Sequence, residues 1–220
     1  MAAAMLVTSK ICRFFVNWIL LRFAALVIGH CSSSLPQRTE IFMHPKSALK
    51  PAIFLDRDET LNWDDGYIFE VEKFSWMPGA PEALRRFRSA GLQVFIVTNQ
   101  GGIGRGIFSE ADLHVFNRHL IAEAKAVGGH ITDIAFCPHH PKAINPAMAG
   151  PCKCRKPEPG QILQLAKKWQ IDLGASVMIG DRDSDVEAGQ RAGMHAYLFD
   201  KTNLDQLASE VLATHFGISN

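Results

Sequence analysis

Residues 52–58 read AIFLDRD, a short apolar run that ends in two carboxylates two positions apart. In an open α/β sheet, ligands bind at the carboxyl ends of the strands, which is where these acids stand. Side chains two apart on a strand point to the same side. Because Asp56 and Asp58 would repel each other there, a divalent cation or a proton on one of them must offset the charge. Either the cation or the proton indicates a catalytic site, and phosphoryl transfer to a carboxylate nucleophile is the leading hypothesis.

From this run onward the chain alternates between strand and helix patterns. The predicted strands lie at 53–56, 94–98, 131–136, 176–180 and 195–199. The predicted helices lie at 79–90, 109–127, 160–170, 183–192 and 204–215. This alternation is typical of a three-layer, doubly wound α/β fold, with a mainly parallel sheet and helices on both faces.

The segments between these elements are predicted to be irregular. Residues 62–78 are rich in aromatic and acidic residues, and 137–159 are rich in proline. The glycine-rich residues 101–106 follow neither the dinucleotide nor the Walker phosphate-loop spacing, so we exclude nucleotide binding through them and expect an ordinary loop.

Length and composition are those of one domain with a large core. The chain has 220 residues, 47% of them hydrophobic, and a formal net charge of +1. That charge gives no electrostatic reason to expect a nucleic-acid partner. The chain has five cysteines, three of them in one short segment. This pattern suits a metal site in a reducing compartment better than a disulfide framework, so we expect a cytoplasmic protein, and we expect a monomer.

Residues 1–49 are interpreted as an N-terminal extension and linker, and 50–220 as the folded domain. Residues 11–29 are largely apolar, but Arg13, Asn17 and Arg22 interrupt them. The two arginines make a membrane span costly, and we do not expect membrane association. Three interpretations of this segment stay open. It is a non-essential extension with Met43 as the natural start, a membrane anchor or signal, or a packed helix.

Polar residues from distant segments are expected to meet near the two acids of the opening run. Thr98 and Asn99 end the second predicted strand, and Asp181 follows the fourth. Arg155 and Lys156 lead into the helix that precedes the fourth strand. Together these residues have the chemistry of one phosphate site. The acids suit a hard cation, the hydroxyl and amides suit phosphate oxygens, and the two cations neutralise charge.

A second group of residues has the chemistry of a zinc site. Cys137 and His139 precede Cys152 and Cys154, with twelve residues between the two pairs. Four soft or borderline ligands suit a closed tetrahedral zinc ion, although the spacing is not that of the common finger. His140 is the competing ligand. Reduced cysteines in a loop, or an oxidised pair, are the alternatives to a structural zinc that fixes this loop.

The chain resembles the haloacid dehalogenase (HAD) superfamily of phosphatases. The resemblance covers about residues 50–200 and is carried by FLDRD at 54–58, VTN at 97–99, KP at 156–157 and IGDRDSD at 179–185. A finer resemblance, to the heptose 1,7-bisphosphate phosphatase branch, is carried by DGY at 65–67, TNQGGIGRG at 98–106, CPHHP at 137–141 and CKCRKP at 152–157. Histidinol-phosphate phosphatases share much of this set. The resemblance also favours zinc at the cysteine-rich segment.

The resemblance implies a role for each matching residue. Asp56 is expected to be the nucleophile that forms an aspartyl-phosphate, and Asp58 to protonate the leaving oxygen and then activate water. Mg²⁺ is expected to bind Asp56, the backbone carbonyl of Asp58, and Asp181. Thr98 and Lys156 are expected to hold the transferring phosphoryl group. We expect the acidic surroundings of Asp58 to favour its protonated form.

Substrate recognition is assigned to loops around an open mouth, because the insertions are too short for a large cap domain. Asp64 and Asp65 are candidates to accept sugar hydroxyls, with solvated loop acids as the alternative. Arg155 is expected to help recognise the substrate. The full set of candidate substrate-binding residues is Asp64, Asp65, Gly66, Tyr67, Asn99, Gln100, Arg155, Lys156 and Arg182.

One position departs from the usual first motif, Asp-x-Asp-Gly-Thr. Glu59 stands in place of the glycine. It is expected to strain the turn, weaken phosphate binding or swing out to solvent, and Glu59→Gly is expected to keep or raise activity.

The favoured hypothesis is a Mg²⁺-dependent phosphatase that removes the 7-phosphate of heptose 1,7-bisphosphate. The alternatives are a histidinol-phosphate phosphatase and an inactive phosphosugar-binding protein.

Overall fold

The computed structural model describes residues 49–219. Within them lies a five-stranded sheet in which every pairing is parallel, with the order β3-β2-β1-β4-β5. The strands are β1 (Ala52–Leu55), β2 (Gln93–Asn99), β3 (Asp133–Cys137), β4 (Val177–Gly180) and β5 (His195–Leu198). The prediction of a parallel α/β sheet is confirmed. The hypotheses about the extension, including Met43, concern residues outside the described ones.

Helices connect the strands as the alternation predicted. They are α1 (Ala80–Ser89), α2 (Gly101–Gly104), α3 (Glu110–Ala126), α4 (Gly160–Trp169), α5 (Asp183–Arg191) and α6 (Leu204–Phe216). Short 3-10 turns lie at Val71–Lys73, Pro146–Met148 and Leu173–Ala175. No helix among residues 49–219 combines the length and apolar character that a bilayer crossing requires.

Alternate side chains of β1 enter two separate cores, which fixes the three layers. Ile53 and Leu55 pack into a core shared with α1, α3 and α6. Ala52 and Phe54 face the other way, into a core shared with α4 and α5. Both faces of the central strand are fully buried, as expected for a parallel sheet covered on both sides. Between β1 and β2 the chain adds only an irregular segment with one 3-10 turn, and α1, so no large cap domain forms there.

The expectation of an ordinary loop at 101–106 is wrong for its first four residues, which form α2. Glycine disfavours helix by about 1 kcal/mol per residue, so no helix was predicted here. Here close packing requires glycine. A Cβ on Gly102 would lie 2.2 Å from Cε1 of Phe108, and one on Gly104 would lie 2.6 Å from the backbone oxygen of Pro138. The glycines therefore let this turn sit directly under the loops that follow β2 and β3.

Candidate active site

Three carboxylates meet at the carboxyl edge of the sheet. Asp56 follows β1, and Asp181 and Asp185 follow β4, with one oxygen from each lying within 4.8 Å of the others. Oδ1 of Asp181 is buried and has no hydrogen-bond partner in the described part of the chain. Oxygen ligands in this number suit a hard cation such as Mg²⁺. Asp185 was not among the expected metal ligands, although the IGDRDSD motif at 179–185 contains it.

Lys156 is buried against two of these acids. Its Nζ lies 2.6 Å from Oδ1 of Asp56 and 2.7 Å from Oδ1 of Asp185, and it donates to the backbone oxygen of Val97 at 2.7 Å. Burial alone would lower the pKa of Lys156, but the two carboxylates raise it above its ordinary value. Lys156 is therefore a fixed cation at the base of the site.

A single lysine does not balance the acids around it. Burial, helped by the charges of Asp185 and Asp58, raises the pKa of Asp56 to about 7, even though Lys156 opposes the rise. Asp56 would therefore hold a proton part of the time near neutral pH. A divalent cation beside it would favour the carboxylate form that a nucleophile needs.

Hydrogen-bond donors surround the carboxylate of Asp58. Oδ1 accepts from Nε of Arg57 at 2.7 Å and from Nδ2 of Asn62 at 3.2 Å, and Oδ2 accepts from Nε2 of Gln100 at 2.7 Å. Arg57 is fully buried and also donates to the backbone oxygen of Ile68 at 3.1 Å. The sequence led us to expect a mainly acidic neighbourhood here. The structure instead shows a carboxylate that three donors hold in place.

The residues at the end of β2 and just after it support Lys156 and Asp58. Both polar atoms of the Asn99 amide bond the backbone of Lys156, at 3.0 and 3.1 Å. Asn99 therefore positions Lys156, although it also lines the cavity. Nε2 of Gln100 donates to Oγ1 of Thr98 at 2.8 Å as well as to Asp58. The backbone N–H of Thr98 donates to Oε1 of Gln161 at 2.9 Å.

A cavity of about 500 Å³ opens above Asp56 and Asp185, while Asp181 does not line it. Most of the expected site residues line it. They are Asp56, Asp58, Asp64, Gly66, Tyr67, Thr98, Asn99, Gln100, Arg155, Lys156 and Arg182. Four residues that the sequence analysis did not select also line it: Gly101, His140, Ser184 and Asp185.

Asp65 was expected in the substrate site but does not line this cavity. Oδ1 of Asp64 accepts from the backbone N–H groups of Gly66 and Ile68, at 3.0 and 2.8 Å. This local turn leaves Asp65 exposed. Next to it, the hydroxyl of Tyr67 accepts from Nη1 of Arg105 at 2.6 Å, a contact that sequence spacing did not reveal.

The four predicted zinc ligands lie together. Sγ of Cys137 is 2.9 Å from Sγ of Cys154, 3.6 Å from Sγ of Cys152 and 3.5 Å from Nδ1 of His139. All three cysteines are free thiols. The four ligand atoms fall within 4.8 Å of one another, a set and size that fit a tetrahedral zinc ion. His140, the competing ligand, lines the active-site cavity instead.

The cysteine cluster is connected to the active site through the next residues of the chain. Cys154 precedes Arg155 and Lys156 directly, and Nη1 of Arg155 donates to the backbone oxygen of His139 at 2.9 Å. Burial raises the pKa of the Cys137 thiol, so in a metal-free protein this group would stay protonated. Coordination to zinc would reverse that, because a coordinated thiol is deprotonated.

Comparisons with known proteins agree with this geometry. A family model described as HAD-hydrolase-like matches residues 153–215. D-glycero-beta-D-manno-heptose-1,7-bisphosphate 7-phosphatase of Rhodopseudomonas palustris is 44% identical over 163 residues, which cover 74% of this chain and 91% of that protein. D-glycero-alpha-D-manno-heptose-1,7-bisphosphate 7-phosphatase of Photorhabdus laumondii is 39% identical over 149 residues, covering 68% and 81%.

A solved structure is similar as well. D,D-heptose 1,7-bisphosphate phosphatase of B. bronchiseptica, crystallised with magnesium and phosphate, superposes with a TM-score of 0.61 at 30% identity. The match covers 72% of this chain and 84% of that one. Sequence and structure comparisons therefore point to the same group of enzymes.

Proposed function

This chain belongs to the D-glycero-D-manno-heptose-1,7-bisphosphate 7-phosphatase family, and we propose that it is a Mg²⁺-dependent phosphatase that removes the 7-phosphate of a heptose 1,7-bisphosphate. The observation that carries the proposal is the group of Asp56, Asp185 and Lys156 at the floor of a polar cavity, with the buried side chain of Asp181 close to both acids. Its acids suit a divalent cation, and its lysine lies where a phosphoryl group would approach Asp56.

The reaction would take two steps at Asp56. A carboxylate oxygen of Asp56 attacks the phosphorus of the 7-phosphate and the bond from phosphorus to the sugar oxygen breaks. Asp58, which must be protonated when this step begins, gives that oxygen its proton. Water then attacks the phosphorus of the aspartyl-phosphate, and Asp58 takes a proton from the water. Inorganic phosphate leaves, and Asp56 is restored as a carboxylate.

The chain's residues would hold the cation and the phosphoryl group. Asp56, Asp181 and Asp185 offer the side-chain ligands, and the resemblance adds the backbone carbonyl of Asp58. Mg²⁺ at this place would offset the negative charge of phosphate and carboxylates. Lys156 and the hydroxyl of Thr98 would contact the transferring group, since both line the cavity floor beside Asp56.

The mouth of the cavity offers cationic and polar groups to the rest of the substrate. Arg155 and Arg182 line the cavity, with His140 and Tyr67 beside them. A sugar that carries a second phosphate supplies an anion for these side chains.

The thiols of the cysteine cluster are compatible with a reducing compartment, and we propose that the protein is cytoplasmic. We also propose that it is a monomer.

A small substrate panel tests the proposed function. Phosphate release is measured with both anomers of heptose 1,7-bisphosphate and with histidinol phosphate, with and without Mg²⁺. We expect Mg²⁺-dependent release from the 7-position, with kcat/KM for histidinol phosphate lower on the order of 100-fold. A preference for histidinol phosphate would support that alternative, and no release from any substrate would support a binding protein.

We also propose that Cys137, His139, Cys152 and Cys154 hold a structural zinc ion. The four ligand atoms are close enough to share one ion, and the loop that they would fix leads directly into Arg155 and Lys156.

Removing that zinc should lower stability and activity together. A zinc-selective chelator, used with excess Mg²⁺ present, is expected to lower the melting temperature by several degrees and to reduce phosphate release about tenfold. Metal content is measured in the same samples, and zinc added back is the control that should restore both properties. Unchanged melting and activity in a sample shown to be free of zinc would refute a structural zinc.

A further inference from the structure

Glu59 adopts a backbone conformation that favours glycine. Its φ is +60°, in the left-handed region, where most side chains are disfavoured. The side chain does not swing out to solvent, since only 15% of it is exposed. A bulky acid held in this conformation next to a catalytic carboxylate needs specific partners to keep it there.

Both carboxylate oxygens of Glu59 have partners. Oε1 accepts from the backbone N–H of Asp64 at 2.8 Å, at the start of the loop that lines the cavity. Oε2 accepts from Nζ of Lys201 at 2.9 Å. Lys201 follows β5, 142 positions away along the chain, and it too has a left-handed backbone, with φ of +66°.

Lys201 extends this contact to a candidate metal ligand. Its Nζ lies 3.1 Å from Oδ2 of Asp181, whose side chain is 2% exposed. The other oxygen of Asp181, Oδ1, is the buried atom without a partner within residues 49–219. The two oxygens thus have different environments: Oδ2 is bound by the lysine, and Oδ1 is available to a cation. The exposed guanidinium of Arg182 also lies 3.7 Å from Oδ2.

An ammonium group this close to a cation ligand carries an electrostatic cost. Its positive charge would oppose a divalent cation, and an untethered lysine would compete for the carboxylate of Asp181. Glu59 supplies an opposing charge 2.9 Å from the ammonium group. Partners of this kind, behind the direct ligands, orient a metal site and set its affinity.

We propose that Glu59 is a positioning residue that, through Lys201, leaves Asp181 free to bind the active-site cation. The inference rests on the proposed function only in taking Asp181 as a ligand of that cation. The proposal assigns a role to the residue that replaces the usual glycine. Glu59 shares this role with Lys201, which is distant in sequence but in contact with it.

Titration calorimetry with Mg²⁺ alone tests this inference on the full chain. Glu59→Gln keeps an oxygen that can accept from Asp64 but removes the charge that balances Lys201. We expect its dissociation constant for Mg²⁺ to rise about tenfold. The double variant Glu59→Gln/Lys201→Gln should return to within about threefold of wild type, because the uncompensated charge is gone. Lys201→Gln alone should bind Mg²⁺ at least as tightly as wild type.

Asp133→Asn is the matched control. Asp133 also pairs with a lysine, Lys168, at 2.7 Å, but it begins β3 at the opposite edge of the sheet. The Mg²⁺ affinity of Asp133→Asn should equal that of wild type. Melting curves show whether each variant is folded.

Three outcomes would overturn the inference: Glu59→Gln within about twofold of wild type, a double variant as weak as Glu59→Gln, or weaker binding by Lys201→Gln. A wild-type chain that binds no Mg²⁺ would overturn the proposed function as well. Failure to hydrolyse heptose bisphosphate, with the affinity shifts intact, would overturn the proposed function alone.

Discussion

An Asp56→Asn chain should fold and yet release phosphate at less than about one ten-thousandth of the wild-type rate. The amide has the size of the carboxylate but is not a nucleophile toward phosphorus. Folding should survive, because the amide oxygen can still accept from Nζ of Lys156, which lies 2.6 Å from Oδ1. Burial already raises the pKa of Asp56 to about 7, so a neutral side chain suits this site in the absence of metal.

The measurement is phosphate release under saturating Mg²⁺, with melting curves on the same samples. Mass spectrometry excludes deamidation of the new asparagine back to aspartate. Asp133→Asn, the same change at the far edge of the sheet, is the control and should keep wild-type turnover. Turnover by Asp56→Asn close to the wild-type rate would remove Asp56 as the nucleophile.

Lys156→Met should damage both stability and turnover. Nζ lies 2.6 Å from a carboxylate oxygen of Asp56 and 2.7 Å from one of Asp185, and all three side chains are buried. Methionine is similar in length but leaves two buried acids without their cation. Breaking a buried ion pair by removing one partner costs about 3–5 kcal/mol, so the free energy of unfolding without Mg²⁺ should fall by that amount. Turnover should fall about a thousandfold, because the transferring phosphoryl group loses a contact.

Urea unfolding and phosphate release are the two readouts. Mg²⁺ should restore more stability to Lys156→Met than to wild type, since it would replace part of the missing positive charge. Lys168→Met is the control, because Lys168 is 61% exposed in its pair with Asp133 and should change stability by less than about 1 kcal/mol. Equal unfolding free energies for Lys156→Met and wild type would contradict a buried charge cluster.

The sheet was predictable because its signals are local. Each strand is a short apolar run between helical patterns, and the strand at 52–55 is followed directly by its acids. In a parallel sheet, the ends of such strands meet at one edge whatever the details of packing. That is why Asp56, Thr98 and Asp181 were expected at one edge, and the structure places them there.

Features that depend on contacts across the chain were not predictable in this way. The helical turn α2 forms from glycines because Phe108 and Pro138 leave no room for side chains. The exposure of Asp65 follows from the turn that Asp64 makes with its neighbours. The sequence also left His139 and His140 as rivals for one metal position, and only their placement separates them.

The role of Glu59 also depends on a contact between residues that are distant in sequence. From the motif alone, Glu59→Gly is expected to keep or raise activity, because glycine suits the turn. The contact with Lys201, 142 positions away, changes this expectation. Glycine would relax the backbone but leave the lysine beside Asp181 without its partner, so we now expect Glu59→Gly to weaken Mg²⁺ binding.

Trapping the covalent intermediate tests the proposed chemistry most directly. Wild-type enzyme is mixed with heptose 1,7-bisphosphate and Mg²⁺, quenched in acid during the first turnover, and digested for mass spectrometry. We predict one added phosphoryl group on the peptide that contains Asp56, its disappearance as substrate runs out, and its absence in Asp56→Asn. A phosphoryl group on another residue, or an unmodified Asp56 while a burst of sugar product forms, would contradict the account.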